Sequence, residues 1–206
     1  MISAACSCSS AQVGTVRTGK VHWNTKRFLP APKGVPKVGG SDYGNDMLIR
    51  TARPEDAPAI WSIIEPVIRA GETYTLDRDM TKEQALAYWM GPDKETFVAE
   101  DDGIIFGTYY MRPNQAGGGR HVCNCGFMVS ADATGRGIAG RMCEHALANA
   151  RSRGYKGMQF NFVVSTNERA VRLWQKLGFE TVGRLPLAFH HPAHGYVDAL
   201  VMFQAL

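Results

Sequence analysis

The run Thr134-Gly135-Arg136-Gly137-Ile138-Ala139-Gly140 lies between an apolar strand pattern, Gly126-Phe127-Met128-Val129, and a helical pattern that begins at Ile138. A strand that enters a helix through glycines at 135, 137 and 140 brings bare backbone close to whatever occupies the turn. The helix start adds unpaired N–H groups and a positive dipole end, so the turn reads as a pyrophosphate cradle. Arg136 is placed to add a charged donor to the same phosphates. The glycines are not followed by Lys and Ser/Thr, which excludes a P-loop, and no first βαβ unit carries G-x-G-x-x-G, so a dinucleotide fingerprint fits poorly. Taken alone, the turn is equally compatible with an ordinary strand-to-helix connection.

A second segment, Ser165-Thr166-Asn167-Glu168-Arg169-Ala170-Val171-Arg172-Leu173-Trp174-Gln175-Lys176-Leu177-Gly178-Phe179, reads as a helix opened by a Ser165/Glu168 capping box and closed by Gly178. Ala170, Leu173, Trp174 and Leu177 fall on one face. Together the two segments resemble the GNAT superfamily of acyl-CoA-dependent N-acetyltransferases, over residues 47 to 203. The resemblance implies a single α/β domain with a mixed central sheet flanked by helices, and acetyl-CoA as acetyl donor without a metal. It assigns Gly135, Arg136, Gly137, Ile138, Ala139 and Gly140 to the CoA pyrophosphate and Asn167 to the pantetheine arm. It also implies a bulge in the strand before the turn, whose backbone at Phe127, Met128 and Val129 holds pantetheine and faces the thioester carbonyl.

The runs Gly107-Thr108-Tyr109-Tyr110-Met111-Arg112-Pro113-Asn114, Cys123-Asn124-Cys125-Gly126-Phe127, Phe160-Asn161-Phe162-Val163 and Trp174-Gln175-Lys176-Leu177, with Val197-Asp198-Ala199, narrow the resemblance. They are similar to the fungal acetyltransferases of L-azetidine-2-carboxylic acid, which acetylate the ring nitrogen of proline-like amino acids. This implies catalytic roles for Asn124 and Asn161, and a substrate pocket that includes Asn124, Phe127 and Trp174. The expected reaction is direct attack of a small amine, a free amino acid or toxic analogue, on the thioester.

Two positions depart from the superfamily pattern. Thr134 stands where Gln or Arg is frequent, which leaves the backbone cradle intact. Trp174 stands where a Tyr often protonates the leaving thiolate, a role that an indole does not fill, so Trp174 packs on the helix or walls the substrate pocket. Alternation puts Asn124 on the face opposite Cys123, Cys125 and Phe127, and on the side of Met128 unless a bulge intervenes. Asn161 interrupts an apolar strand, where an unpaired amide is costly, so it requires a partner; a structural bond between strands is the plain alternative for either asparagine. Glu72, Tyr74 and Tyr110 are candidates for a general base, each equally readable as a surface or packing residue, and water is another proton carrier.

Charge gives no case for nucleic acid. The formal net charge is +4, but residues 1 to 41 hold Arg17, Lys20, Lys26, Arg27, Lys33 and Lys37 without an acidic residue, leaving 17 basic against 19 acidic residues. Residues 1–46 are expected to be a basic, unstructured extension; a start site at Met47 and a mitochondrial transit peptide are the other readings. No apolar run approaches the roughly 20 residues of a spanning helix. The five cysteines, Cys6, Cys8, Cys123, Cys125 and Cys143, form no disulfide framework, which favours a reducing, cytoplasmic setting. Cys123 and Cys125 read as buried strand residues rather than zinc ligands, and His190, His191 and His194 as a loop at a pocket mouth.

From residue 47 the expected order is a strand to Arg53, a helix over Pro54 to Ala70 with Pro66 inside, and a short helix capped by Thr81 and Gln84. A hairpin around Asp101-Asp102-Gly103, a strand over Val122 to Val129, a helix from Ile138 to Arg153 and a strand over Met158 to Val164 follow. After the second motif come two strands, the last of which, Tyr196 to Phe203, is apolar enough to pair copies in a homodimer. Competing functions are an acyl-CoA sensor without turnover and acetylation of an amine drug or a protein amino group.

Overall fold

The computed structural model describes residues 47–206, so the expectations for residues 1–46, Cys6 and Cys8 among them, lie outside the described residues. Seven strands form one mixed sheet in the order β1-β2-β3-β4-β5-β7-β6. They are β1 (Leu48–Thr51), β2 (Glu95–Asp101), β3 (Ile104–Pro113), β4 (Val122–Val129), β5 (Gly157–Val164), β6 (Glu180–His191) and β7 (Gly195–Ala205). The helices are α1 (Ala57–Ala70), α2 (Lys82–Trp89), α3 (Ile138–Ser152) and α4 (Glu168–Lys176).

Helices cover both faces because alternate strand residues are apolar on both. On one face α1 and α2 bury Ile60, Ile63, Ile64, Ile68, Ala85 and Trp89 against Val98, Tyr110 and Met128. Each fully buried aliphatic side chain there contributes about 1.5–3 kcal/mol. α1 continues through Pro66 to a left-handed Gly71, and α2 starts at the capping box formed by Thr81 and Gln84. On the other face α3 and α4 pack Ile138, Met142, Ala146 and Trp174 against Tyr109, Cys123, Cys125 and Phe160. α3 sits so close to β3 that a Cβ on Gly107 would come within 2.9 Å of Met142 Cε.

The parallel pair β4–β5 is held only at Val122↔Gly157 and Cys123↔Met158. Beyond it the strands diverge, opening a wedge in the middle of the sheet. The expected bulge is absent from the β3–β4 ladder, whose register runs without a shift from Gly107↔Val129 to Pro113↔Cys123. A register shift appears instead on the other wall of the wedge, where Phe160↔Met202 is followed by Val163↔Leu200 in the β5–β7 ladder. This places an extra residue at Asn161-Phe162, as in a β-bulge.

Three further expectations are revised. The α4 N-cap is Asn167, whose side chain accepts from the Ala170 amide, rather than a Ser165/Glu168 box. His190 and His191 end β6, and only the residues after them form the turn. The last strand has no free edge, because β7 lies between β5 and β6; the sheet ends at β6, beside which Val182, Leu187 and Tyr196 are exposed. Among the described residues, no helix is long and apolar enough to cross a membrane.

Candidate active site

The geometry of the wedge follows from which way the β4 peptides point. Asn114 N–H donates to Val122 C=O and Ser130 N–H to Phe106 C=O, each at 2.8 Å, at the two ends of the β3–β4 ladder. In an antiparallel ladder a bonded residue directs both its N–H and its C=O to one neighbour, and successive residues alternate. The even-numbered residues of β4 therefore bond to β3, while Cys125, Phe127 and Val129 direct their peptide groups toward β5, which pairs no further than Cys123. Met128 is turned away from the wedge: its peptide faces β3 and its side chain is buried against α1 and α2. The Phe127 carbonyl accepts from Tyr74 Oη at 2.9 Å, so the loop after α1 closes one end of the opening.

At the apex, one residue beyond the last backbone pair, Asn124 Nδ2 donates to Gln159 C=O at 2.8 Å. Asn124 Oδ1 makes no hydrogen bond among the described residues. Asn161 carries a longer network: it accepts from Gln159 Nε2 at 2.8 Å and donates to Asn114 Oδ1 at 2.7 Å. The partner that Asn161 requires is thus supplied by two side chains, Gln159 and Asn114, that carry no motif of their own. The signal was present in parity, since Tyr110 and Arg112 on β3, and Asn114 one residue past its end, alternate as Asn124 does on β4.

Phe127 and Trp174 lie on the opposite face of the sheet. Trp174 is 8% exposed, with its ring 5.3 Å from that of Phe127 and 5.1 Å from that of Phe160. It is a packing residue under the wedge, and with Phe127 it separates the opening from the α3–α4 core.

The glycine turn enters α3 with Gly135 at φ +92° and Gly137 at φ +75°, the left-handed conformation that glycine adopts without strain. The amides of Gly137, Ile138, Ala139 and Gly140 precede the first α3 bond, which runs from Arg141 N–H to Gly137 C=O. Together with the Gly135 amide they have no partner among the described residues, which suits a pyrophosphate. The Arg136 amide is bonded to Ala133 C=O, so only its side chain remains for an anion. That guanidinium lies 4.6 Å from the Phe106 ring and contacts Asp101 at 3.3 Å. Asn167 stands at the far side, bordering a cavity of about 160 Å³ with Glu72, Thr73, Thr166 and His191. His191 Nδ1 accepts the Ala193 amide at 3.1 Å.

Neither tyrosine near the wedge is suited to be a base. Burial pushes the hydroxyls of Tyr74 and Tyr110 well above their ordinary range. Tyr110 also covers β4 closely, since a Cβ on Gly126 would meet its ring at 2.7 Å. Cys125 and Cys143 are buried, and desolvation raises both thiols, so neither supplies a thiolate nucleophile. Among the described residues, no group of three His, Cys, Asp or Glu side chains is placed to hold a metal ion.

A seven-stranded mixed sheet, parted between its parallel strands and followed by a glycine-led helix N-terminus, defines an acyl-CoA-dependent acyltransferase. The sequence model of the acetyltransferase (GNAT) family matches residues 60–179, and the chain belongs to that family. It is 31% identical over 151 residues to N-acetyltransferase aca1 of Schizosaccharomyces pombe, a match covering 65% of this chain and 72% of the relative. A GCN5-related N-acetyltransferase from Kribbella flavida superposes with a TM-score of 0.75 at 45% identity, covering 78% of this chain and 98% of the other. The fold is shared with yncA from Salmonella typhimurium, solved with its cofactor acetyl-CoA: TM-score 0.69, 22% identity, covering 79% and 95% of the two chains. The protein is an N-acetyltransferase that takes its acetyl group from acetyl-CoA.

Proposed function

We propose that the acceptor is the nitrogen of a small free amino acid, in particular a proline-like one, and that it attacks the thioester directly in the β4–β5 wedge. One observation carries this reading: Asn124 gives its N–H to Gln159 and keeps Oδ1 for a ligand, at the apex of an opening lined by the unpaired amides of Phe127 and Val129. An amide oxygen there accepts an N–H of the incoming amine and orients its lone pair. The Phe127 amide meets the charge that develops on the thioester oxygen, an interaction typically worth about 2.7–4 kcal/mol, and the Val129 amide, about 7 Å further along the strand, is left for the pantetheine arm.

The glycine turn, with Gly135 and Gly137 through Gly140, receives the pyrophosphate, and Asn167 Nδ2, left free by the cap, reaches the pantetheine amide. Met128 contributes by fixing the strand rather than by touching the donor. A thiol with an ordinary value of about 8.5 leaves without a strong acid, which accommodates an indole at position 174. The proton released by the amine passes to water or to Glu72, which borders the cavity beside Asn167, because neither tyrosine is a base in this setting.

The test is thiol release from acetyl-CoA across azetidine-2-carboxylate, proline analogues, acyclic amino acids, an aminoglycoside and a peptide amino terminus. Turnover concentrated on cyclic secondary amino acids is expected. Turnover on the aminoglycoside or the peptide alone would overturn the amino-acid assignment.

A further inference from the structure

The face that carries Asn124 and Asn161 also carries two cations that share one carboxylate. Arg112 stands directly opposite Asn124 in the β3–β4 register. Its neighbours of the same parity face α2: Thr108 Oγ1 accepts from Trp89 Nε1 at 3.0 Å, and the Tyr110 ring meets that of Trp89 at 4.9 Å. Lys94 belongs to the same cluster. Its side chain is 5% exposed, and its ammonium lies 4.6 Å from the Tyr88 ring centroid and 5.6 Å from that of Tyr110.

Asp93 is the acidic partner of both. It accepts from Lys94 Nζ at 3.0 Å, but its contact with Arg112 Nη1 is 3.3 Å, and its own side chain is 53% exposed. The Arg112 side chain is 36% exposed, yet its Nε is buried without a hydrogen-bond partner. A buried donor left unpaired costs about 1–3 kcal/mol, more when it belongs to a charged group. The fork of a guanidinium is matched by the two oxygens of a carboxylate. One cation is therefore in surplus, with an unmet donor, beside the asparagine already placed at the acceptor.

The geometry points to Arg112, supported by Lys94, as the subsite for the α-carboxylate of the acceptor amino acid. Asn124 and Phe127 are separated by roughly 10 Å of strand, at about 3.3 Å per residue. A substrate whose nitrogen is at the wedge and whose carboxylate turns back toward β3 spans that interval together with the arginine arm. The proposal rests on the amino-acid reading above and adds to it the residue that distinguishes an amino acid from a plain amine. Arg112 touches substrate but not the reacting atoms, so it is expected to act on KM rather than on kcat.

The experiment compares azetidine-2-carboxylate with its carboxamide, in the wild type and in Arg112→Gln, Arg112→Lys and Asp93→Asn, with acetyl-CoA affinity measured separately. In the wild type the acid is preferred. Arg112→Gln raises KM for the acid by roughly tenfold to a hundredfold, the loss of a charge-assisted bond, and KM for the amide by far less, while the affinity for acetyl-CoA is unchanged. Arg112→Lys recovers part of the preference. Asp93→Asn releases Arg112 from its competitor and lowers KM for the acid, a gain that misfolding does not imitate. Equal losses on acid and amide in Arg112→Gln, or a raised KM for the acid in Asp93→Asn, would overturn the subsite. If acid and amide are both inert with the wild type while acetyl-CoA binds, the amino-acid reading itself falls, and the subsite with it.

Discussion

Asn124 Nδ2 donates to the Gln159 carbonyl across 2.8 Å, one residue beyond the last backbone pair between β4 and β5. This bond is a clasp at the apex of the wedge, and it also dictates which end of the amide is left for a ligand. The structural and the catalytic readings of Asn124 are thus two ends of one side chain.

Asn124→Ala removes both. The Gln159 carbonyl loses its donor, at a cost of about 1–3 kcal/mol seen as a lower Tm. Turnover falls further than this, by about a hundredfold or more in kcat/KM at saturating acetyl-CoA, since about 1.4 kcal/mol of lost orientation is already tenfold. Asn161→Ala is expected to behave similarly, because Asn114 and Gln159 both lose a partner.

Trp174→Phe preserves an aromatic ring beside Phe127 and Phe160 and is expected to be milder than either asparagine change. Trp174→Ala leaves a cavity and costs about 3–5 kcal/mol. Steady-state rates and thermal melts of the two variants check this; a Trp174→Phe loss as large as that of Asn124→Ala would give the indole a chemical role.

Gly126→Ala drives a Cβ to 2.7 Å from the Tyr110 ring. Overpacking of this kind costs about 1–3 kcal/mol. The shifted tyrosine also disturbs Lys94, so a drop in Tm is expected together with a raised KM for the acceptor.

Asp56 gives the fold an acid-sensitive joint. The Arg50 guanidinium donates to its carboxylate at 2.7 and 2.9 Å, and Arg53 N–H adds a third bond at 2.6 Å, so its titration point is held below the usual carboxylate range. A depressed folded value means that the stabilisation is complete above the unfolded carboxylate value and is lost as pH falls from there toward the lower folded value. Tm is therefore expected to decline on acidification below about pH 4, and Asp56→Asn to lower Tm at neutral pH and flatten that decline.

Much of this was legible in the sequence, because periodicity and turn chemistry are local. The Thr81/Gln84 cap, the Asp102-Gly103 turn and the Val122–Val129 strand follow from a few neighbouring residues each. What local patterns do not carry is pairing. The order of β6 and β7, the register shift in β5 rather than β4, and the partners of Asn161 are set by residues far apart in the chain. The Asn167 cap was within reach, since Asn is a strong N-cap residue, but the Ser165/Glu168 pair offered a competing local pattern.

The central claim is direct transfer within the wedge, with no acetylated protein on the way. Its most direct test is a single turnover: protein in excess over radiolabelled acetyl-CoA is mixed with azetidine-2-carboxylate, quenched at intervals and separated into protein and small molecules. The account predicts label passing from acetyl-CoA to the amino acid, with none on the chain at any time, since Cys125 and Cys143 are buried thiols held in their neutral form. Label that appears on the protein and then moves to the amino acid at the rate of turnover would contradict it.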